Sequence, residues 1–278
     1  MYFVYNREVY SPIYLIFIFV LGLIVGSFLN VLVLRRGTGK TVGGRSQCAS
    51  CGHQLGVFDL IPLFSFVFLG GKCRYCKTKI SKIYPLVEFG TGILFLLIFI
   101  NSSINSVQSI VMLAVSILFW TLAFAISVYD LRHTIIPNTW VFPLIIIAFC
   151  YSIISYWNNF HELLLSLLAG IIFGLFFFVL WLVSRGRWMG LGDAKFALAF
   201  GVFVGIHKLF SAWALSFWIG AISVLIFFLI ESAINLNGKK LNRIGEPLTM
   251  KSEVPFGPFL FLGSFFAFLG FLLPMYGF

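Results

Sequence analysis

Eight apolar stretches, at roughly 13–34, 85–100, 110–129, 139–157, 163–184, 194–206, 209–230 and 255–274, leave this chain few ways to fold. Most approach the ~20 residues that an α-helix needs to cross the hydrocarbon core of a bilayer. In lipid every backbone N–H and C=O must be satisfied inside the protein, which favours helices. Composition agrees: 60% of the 278 residues are hydrophobic, 35 are phenylalanine and only 10% are charged, against about 25% charged in an ordinary soluble domain. The expected fold is an all-α polytopic membrane protein with about eight transmembrane helices. The first stretch is longer than a secretory signal, follows Arg7 offset by Glu8, and ends at Arg35-Arg36 where a signal would carry small residues,. It is expected to be a retained anchor with its N-terminus outside.

Charge placement sets the orientation. With an external N-terminus, the cytoplasmic loops are 35–84, around 130–138, 185–193 and 231–254. Those loops, with Lys195 just beyond one of them, hold 17 of the 19 Lys and Arg residues, leaving Arg7 and Lys208 outside. This is the pattern of the positive-inside rule. The formal net charge of +10 is explained by orientation, with basic loops available to anionic lipid headgroups. No nucleic-acid partner is required.

Two aspartates stand out against this background. Asp130 follows the third stretch and Asp193 precedes the sixth, with two crossings between them, so both carboxylates face the same side. An ionisable group at membrane depth costs at least ~2.5–3.5 kcal/mol and calls for a partner or a task. Asp193 lies in Gly190-Leu191-Gly192-Asp193, whose glycines allow a tight turn and a close approach of another chain segment. The sixth stretch is short, which places Asp193 in a recess below the surface unless Trp188 and Met189 extend the helix. Taken singly, Asp193 also fits the N-cap of the sixth helix, and Asp130 fits an interfacial residue paired with Arg132. Taken together they suggest an acid–base pair. Two carboxylates a few ångströms apart do not both ionise, so one can donate a proton to a carbonyl oxygen while the other activates water. The four histidines are scattered, and neither a GxSxG nor an HExxH motif occurs,.

A second constellation occupies the largest polar loop. Cys48-Ala49-Ser50-Cys51 and Cys73-Arg74-Tyr75-Cys76 are two CxxC knuckles 21 residues apart, close to the spacing of tetrahedral zinc sites. Cytoplasmic thiols stay reduced, which disfavours disulfides. Four thiolates close the coordination shell, so a structural zinc is expected, folding a loop too small to hold its own core. His53 is then a loop residue and Cys150 a packing residue. Asp59, in the same loop, has no assigned role. The expected organisation is residues 1–34 as external N-terminus and first helix, 35–84 as the cytoplasmic four-cysteine domain, and 85–278 as a seven-helix core.

Gly26-Ser27-Phe28-Leu29-Asn30-Val31, Arg45-Ser46-Gln47-Cys48, Ile61-Pro62-Leu63, Gly71-Lys72-Cys73-Arg74-Tyr75-Cys76, Ile80-Ser81 and Tyr84-Pro85-Leu86-Val87-Glu88, in that order, look like the N-terminal part of the type IV prepilin peptidases. Asp130-Leu131-Arg132-His133 leading to Ile136-Pro137-Asn138, Gly190-Leu191-Gly192-Asp193-Ala194-Lys195, and Pro255-Phe256-Gly257-Pro258 resemble the rest. The resemblance runs from about residue 20 to 262. It implies an aspartic membrane endopeptidase that removes the short basic leader of prepilins and pseudopilins at the cytoplasmic membrane border, typically after a glycine. It places the catalytic aspartates at Asp130 and Asp193. Many members also methylate the new N-terminus with S-adenosylmethionine, an activity associated with the cysteine-bearing region. The chain departs from the family where Ala49 stands in place of a frequent proline, which is expected to loosen the first knuckle.

Other signals are secondary. Gly22/Gly26, Gly170/Gly174 and Gly201/Gly205 are GxxxG pairs suited to close helix packing. Glu88, just inside the second apolar stretch, must face protein or water and is expected to orient the cytoplasmic domain or meet a substrate amine. Lys195 is expected to pair with a carboxylate of the site, Glu231 to snorkel, and the loop from Asn235 to Glu253 to be a solvated connector. Two rival functions use the same features: a proton-coupled transporter with intramembrane carboxylates, and a zinc-bearing membrane assembly protein.

Overall fold

A computed structural model describes residues 11–36, 43–236 and 255–271. The stretch with Arg7 and Glu8, the side chain of Glu231 and most of the connector from Asn235 to Glu253 lie outside the described residues. Among the described residues the regular structure is helical: α1 (Pro12–Arg35), α2 (Phe64–Phe68), α3 (Ile83–Ile100), α4 (Val107–His133), α5 (Asn138–Ser155), α6 (Phe160–Ser184), α7 (Leu191–Val204), α8 (Ile206–Leu236) and α9 (Gly257–Phe268). Each apolar stretch contains one helix, and α2 is a single extra turn in the cysteine loop.

Six of these helices, α1, α3, α4, α5, α6 and α8, are long and apolar enough to cross a membrane. Besides the short α2, the remaining two are 14 residues long for α7 and 12 for α9. They rise about 21 and 18 Å, against a core of about 30 Å. Helix α7 begins at Leu191, so Trp188 and Met189 do not lengthen it.

The chain divides into two compact units, Met1–Thr121 and Leu122–Phe278. The first is built on the α1–α3 pair. A side chain added at Gly22 would stand 2.8 Å from the Gly92 Cα, and one at Gly26 2.7 Å from the Glu88 Cα. These two positions let the α1 and α3 backbones touch, and Asn30 Nδ2 donates to the Tyr84 carbonyl at 3.0 Å across the same seam.

The second unit is organised around α7. Ten of its 14 residues are buried, including Asp193, Phe196, Phe200 and Phe203. A helix apolar all round must sit inside a bundle, and α5, α6, α8 and α9 all pack on it. Gly170, Gly174 and Gly201 form the α6–α7 contact: a Cβ at Gly201 would meet the Ala169 carbonyl oxygen at 2.6 Å and the Gly170 Cα at 2.7 Å. Gly205 serves differently from the expected packing pair. With φ +78° it ends α7, its N–H reaching back to the Gly201 carbonyl at 3.0 Å. Buried hydroxyls find partners between helices: Ser152 Oγ donates to the Val202 carbonyl at 2.9 Å, and Ser166 Oγ lies 3.2 Å from Ser152 Oγ. Cys150 is exposed on α5, which corrects its reading as a packing residue.

Because the atoms that a larger residue would strike at Gly201 are backbone, the neighbours have little room to give. Gly201→Leu is expected to destabilise the bundle by about 1–3 kcal/mol or more. The change would be read as a lower unfolding temperature in detergent. Gly43→Ala, with nothing within 4 Å of the added carbon, should leave it unchanged.

Candidate active site and cysteine module

Asp130 lies on the last turn of α4 and Asp193 on the first turn of α7. Both belong to the second unit, and both are buried, at 4% and 7% exposure. They are close enough for the charge of Asp130 to act on Asp193. The structure therefore brings together two carboxylates 63 positions apart in sequence.

Each carboxylate is held by a backbone N–H at the start of a helix. Asp193 occupies the third position of α7 and its Oδ2 accepts from the Gly190 N–H at 3.2 Å. It is thus not the N-cap; that position belongs to Gly190. Asp130 Oδ2 accepts from the Gly257 N–H at 3.1 Å, where α9 begins. No ion pair joins Asp130 to Arg132 among the described residues. Helix N-termini carry unsatisfied N–H groups and about half a unit of positive charge, so they suit anions. Asp193 Oδ1, by contrast, is buried without a hydrogen-bond partner among the described residues. Buried polar atoms in this state are uncommon and mark a place for water or a ligand.

The glycines of the Gly190-Leu191-Gly192-Asp193 motif act through space more than through turn geometry. Gly190 has φ −80°, open to any residue. At Gly192 an added Cβ would stand 2.7 Å from the Ile136 Cβ, so its bare backbone lets the segment after α4 lie against the start of α7. Among the described residues Lys195 does not pair with a carboxylate. Its Nζ donates to Asn138 Oδ1 at 3.0 Å and lies 5.4 Å from the centre of the Phe142 ring, joining α7 to α5. Gly257 is the site residue that sequence reasoning passed over. Its signal was the Pro255-Phe256-Gly257-Pro258 block, and the reason is steric: a Cβ there would lie 2.6 Å from Asp130 Oδ2.

The first unit carries the cysteines. The Sγ atoms of Cys48, Cys51, Cys73 and Cys76 all lie within 4.8 Å of one another, and Cys48 and Cys76 are 3.8 Å apart. Thiolates placed tetrahedrally at the zinc–sulfur distance of about 2.3 Å are separated by about 3.8 Å, so the cluster fits a four-thiolate metal. The two knuckles are the same loop built twice. Cys48 N–H donates to the His53 carbonyl and Gly52 N–H to the Cys48 carbonyl, both at 2.9 Å; Cys73 N–H donates to Thr78 and Lys77 N–H to Cys73, at 2.9 and 3.0 Å. Single antiparallel bridges, Gln47 with Gln54 and Lys72 with Lys79, close them. Ala49 does not loosen the first knuckle, which makes the same bonds as the second. The Thr78 hydroxyl and N–H pull the Cys76 thiol down to about 6, and the Cys51 and Ser50 N–H groups lower that of Cys48, which favours the thiolate form at these two; Cys51, despite the His53 N–H, is pushed up to about 11 by desolvation and the neighbouring thiols.

His53 stacks on Tyr75, ring centres 3.6 Å apart, joining the knuckles outside the thiol cluster. Asp59 proves structural: its Oδ1 forms an ion pair with Arg74 Nε at 2.7 Å, and its Oδ2 accepts from the Gly56 N–H at 3.1 Å. Glu88, buried on α3, accepts from the Leu63 N–H at 2.9 Å and so ties the loop between the knuckles to the α1–α3 pair.

Comparison with known proteins follows the same division. Residues 20–102 match the Bacterial Peptidase A24 N-terminal domain and residues 116–234 match the Type IV leader peptidase family. The chain is 31% identical to the prepilin leader peptidase/N-methyltransferase of Pseudomonas aeruginosa, over 90% of this chain and 88% of that protein. It is 30% identical to the protein of the same name from Bacillus subtilis, over 91% and 92%. With the one from Myxococcus xanthus it is also 30% identical, over 81% of this chain but 63% of that protein's length. No solved structure matches the chain. With family matches on both parts of the chain and relatives aligned over nearly their whole length, the chain belongs to the type IV leader peptidase family.

Proposed function

We propose that this protein is a membrane aspartic endopeptidase that cuts the short basic leader from type IV prepilins and pseudopilins, with Asp130 and Asp193 as its catalytic acids. The observation that carries this reading is the buried pair itself, each member held through one oxygen by a helix-start N–H, with Asp193 Oδ1 left unpartnered. Family membership sets aside the transporter and assembly-protein readings.

In the proposed reaction the dyad shares one proton, as adjacent carboxylates do. The protonated member gives its proton to the scissile carbonyl oxygen. The ionised member takes one from a water molecule, whose oxygen attacks the carbonyl carbon. Collapse of the tetrahedral intermediate returns the proton to the leaving amine, and the free carboxylate and amine products separate. Gly190 and Gly257 hold the carboxylates in place throughout, which limits the reorganisation needed during the reaction. The topology that accompanies this reading has the N-terminus outside, and the dyad and cysteine module on the cytoplasmic side of the cell membrane.

Zinc is the metal proposed for Cys48, Cys51, Cys73 and Cys76, in a structural role, since four thiolates leave no open position. The relatives' name also includes N-methyltransferase, and we propose that activity for this chain with S-adenosylmethionine as the methyl donor. The described residues show no glycine-rich strand-to-helix turn of the kind that cradles a nucleotide.

Asp130→Asn and Asp193→Asn are each expected to abolish cleavage while the protein still inserts, because an amide cannot take the proton from water. The readout is the N-terminal mass of a co-expressed prepilin. Glu162→Gln, which removes the charge that faces His207 and Tyr156, is the control. Asp59→Asn is unsuitable because it breaks the bond to Arg74. Wild-type turnover in either Asn variant would remove that residue from the mechanism.

Gly257→Ala should slow cleavage about tenfold to a hundredfold, the usual penalty for displacing a catalytic group by an ångström or so. Kinetics on a leader peptide would measure it. A variant with full activity would show that the α9 contact is dispensable.

Purified protein is expected to contain about one zinc per chain, with Cys73→Ser lowering it. Elemental analysis decides. Cys51→Ser should reduce methylation more than cleavage, because the helical part satisfies its own backbone in lipid; equal loss would mean that the module also supports the proteolytic site.

A further inference from the structure

The contacts of the cysteine module with α1 and α3 fix the depth of part of it. Leu63, in the loop between the knuckles, donates its N–H to Glu88. Glu88 lies five residue steps inside α3, which begins at Ile83, so its Cα is about 7.5 Å below the helix end, and its side chain, which leans toward that end, meets Leu63 between that level and the border. Lys82 before α3 and Arg35 at the end of α1 flank the two apolar helices and mark the polar border. The segment through Leu63 therefore dips to the level of the headgroups and first methylenes.

The side chains around that anchor are apolar and uncovered. Val57, Phe58, Val67 and Phe68 are 74–83% exposed and Phe64 is 57% exposed. Phe58, Ile61, Phe64 and Phe68 line a hollow of about 470 Å³, with Arg74 on its wall. So dense a cluster within twelve residues marks an interaction surface, where single exposed apolar residues do not. The rest of the module is cationic. Residues 36–82 contain eight Lys and Arg and one acid, Asp59, whose carboxylate is already engaged by Arg74. Lys72, Lys77, Lys79 and Lys82 are all exposed.

We propose that the Val57–Phe68 segment is an interfacial membrane anchor. Its apolar side chains enter the boundary between headgroups and acyl chains, and the surrounding lysines meet anionic headgroups. Apolar residues ringed by cations bind anionic leaflets in this way. The depth of Leu63 selects lipid as the occupant: a surface pinned below the end of a spanning helix faces the bilayer before it can face a soluble partner. The proposal requires only that α1 and α3 cross the membrane, and it stands apart from the peptidase reading.

The test uses the full-length protein in nanodiscs of phosphatidylethanolamine and phosphatidylglycerol, with the photo-crosslinker benzoyl-phenylalanine replacing Phe68 or, as control, the exposed polar residue Gln54 of the first knuckle. Lipid adducts are counted by mass after illumination. The expected result is a yield at Phe68 about fivefold or more above that at Gln54, as interfacial burial of the apolar face implies. A lower yield at Phe68 is expected in phosphatidylcholine discs. Equal yields at the two positions would overturn the proposal, as would capture at Phe68 of a second copy of the chain or of an added prepilin peptide. A yield that ignores headgroup charge would overturn the part assigned to the lysines. Should the Phe68 variant fail to insert, Val67, equally uncovered, gives the same reading.

Discussion

A carboxylate placed among apolar helices has few sources of hydrogen bonds, because the helices spend their own N–H groups on themselves. Only the first turn of a helix has donors to spare. The arrangement around Asp130 and Asp193 follows from this constraint. Each acid sits where a short helix begins, and those two helices, α7 and α9, are the ones that fall short of spanning length. A helix start lying within the bundle is what brings spare donors to membrane depth.

Close packing does the complementary work. Donors reach the acids only if the helices that carry them come near, and glycine and alanine make that approach possible at Gly192, Gly201 and Gly257. The same logic holds in the first unit, where Gly26 lets α3 approach α1 at Glu88, and Glu88 in turn holds the loop at Leu63. In both units a buried acid is paired with a backbone N–H from a segment distant in sequence. Polar contacts of this kind fix the register of surfaces that apolar packing alone would leave free to slide.

Much of this was legible in the sequence. The helices follow from hydropathy because lipid allows little else, although six, and not the expected eight, are long and apolar enough to cross a membrane; the approach of Asp130 to Asp193 was the expectation drawn from counting crossings. The cysteine cluster follows from spacing. The partners of the acids did not follow. Gly257 N–H is a backbone group that no composition rule singles out, and its pairing with Asp130 spans 127 positions. The expected partner of Lys195 was wrong for a related reason: a lysine near two acids suggests an ion pair, whereas Asn138 and Phe142 on α5 stand closer to its side chain. Asp59 looked idle because nothing in a loop's sequence shows that Arg74 folds back onto it. Long-range backbone contacts and loop closures are set by three-dimensional packing, and the one-dimensional pattern carries only their preconditions.

The bond between Gly257 and Asp130 also has a consequence in time. Residues are added in order, so Asp130 and Asp193 are both made before Gly257, which lies 127 positions after Asp130. Until then Asp130 lacks the donor that α9 supplies, while Asp193 already has its own at Gly190. The carboxylate proposed as half of the catalytic pair thus takes its final hydrogen bond from α9, a segment made after both acids, so a nascent chain that stops short of Gly257 holds both acids without that support.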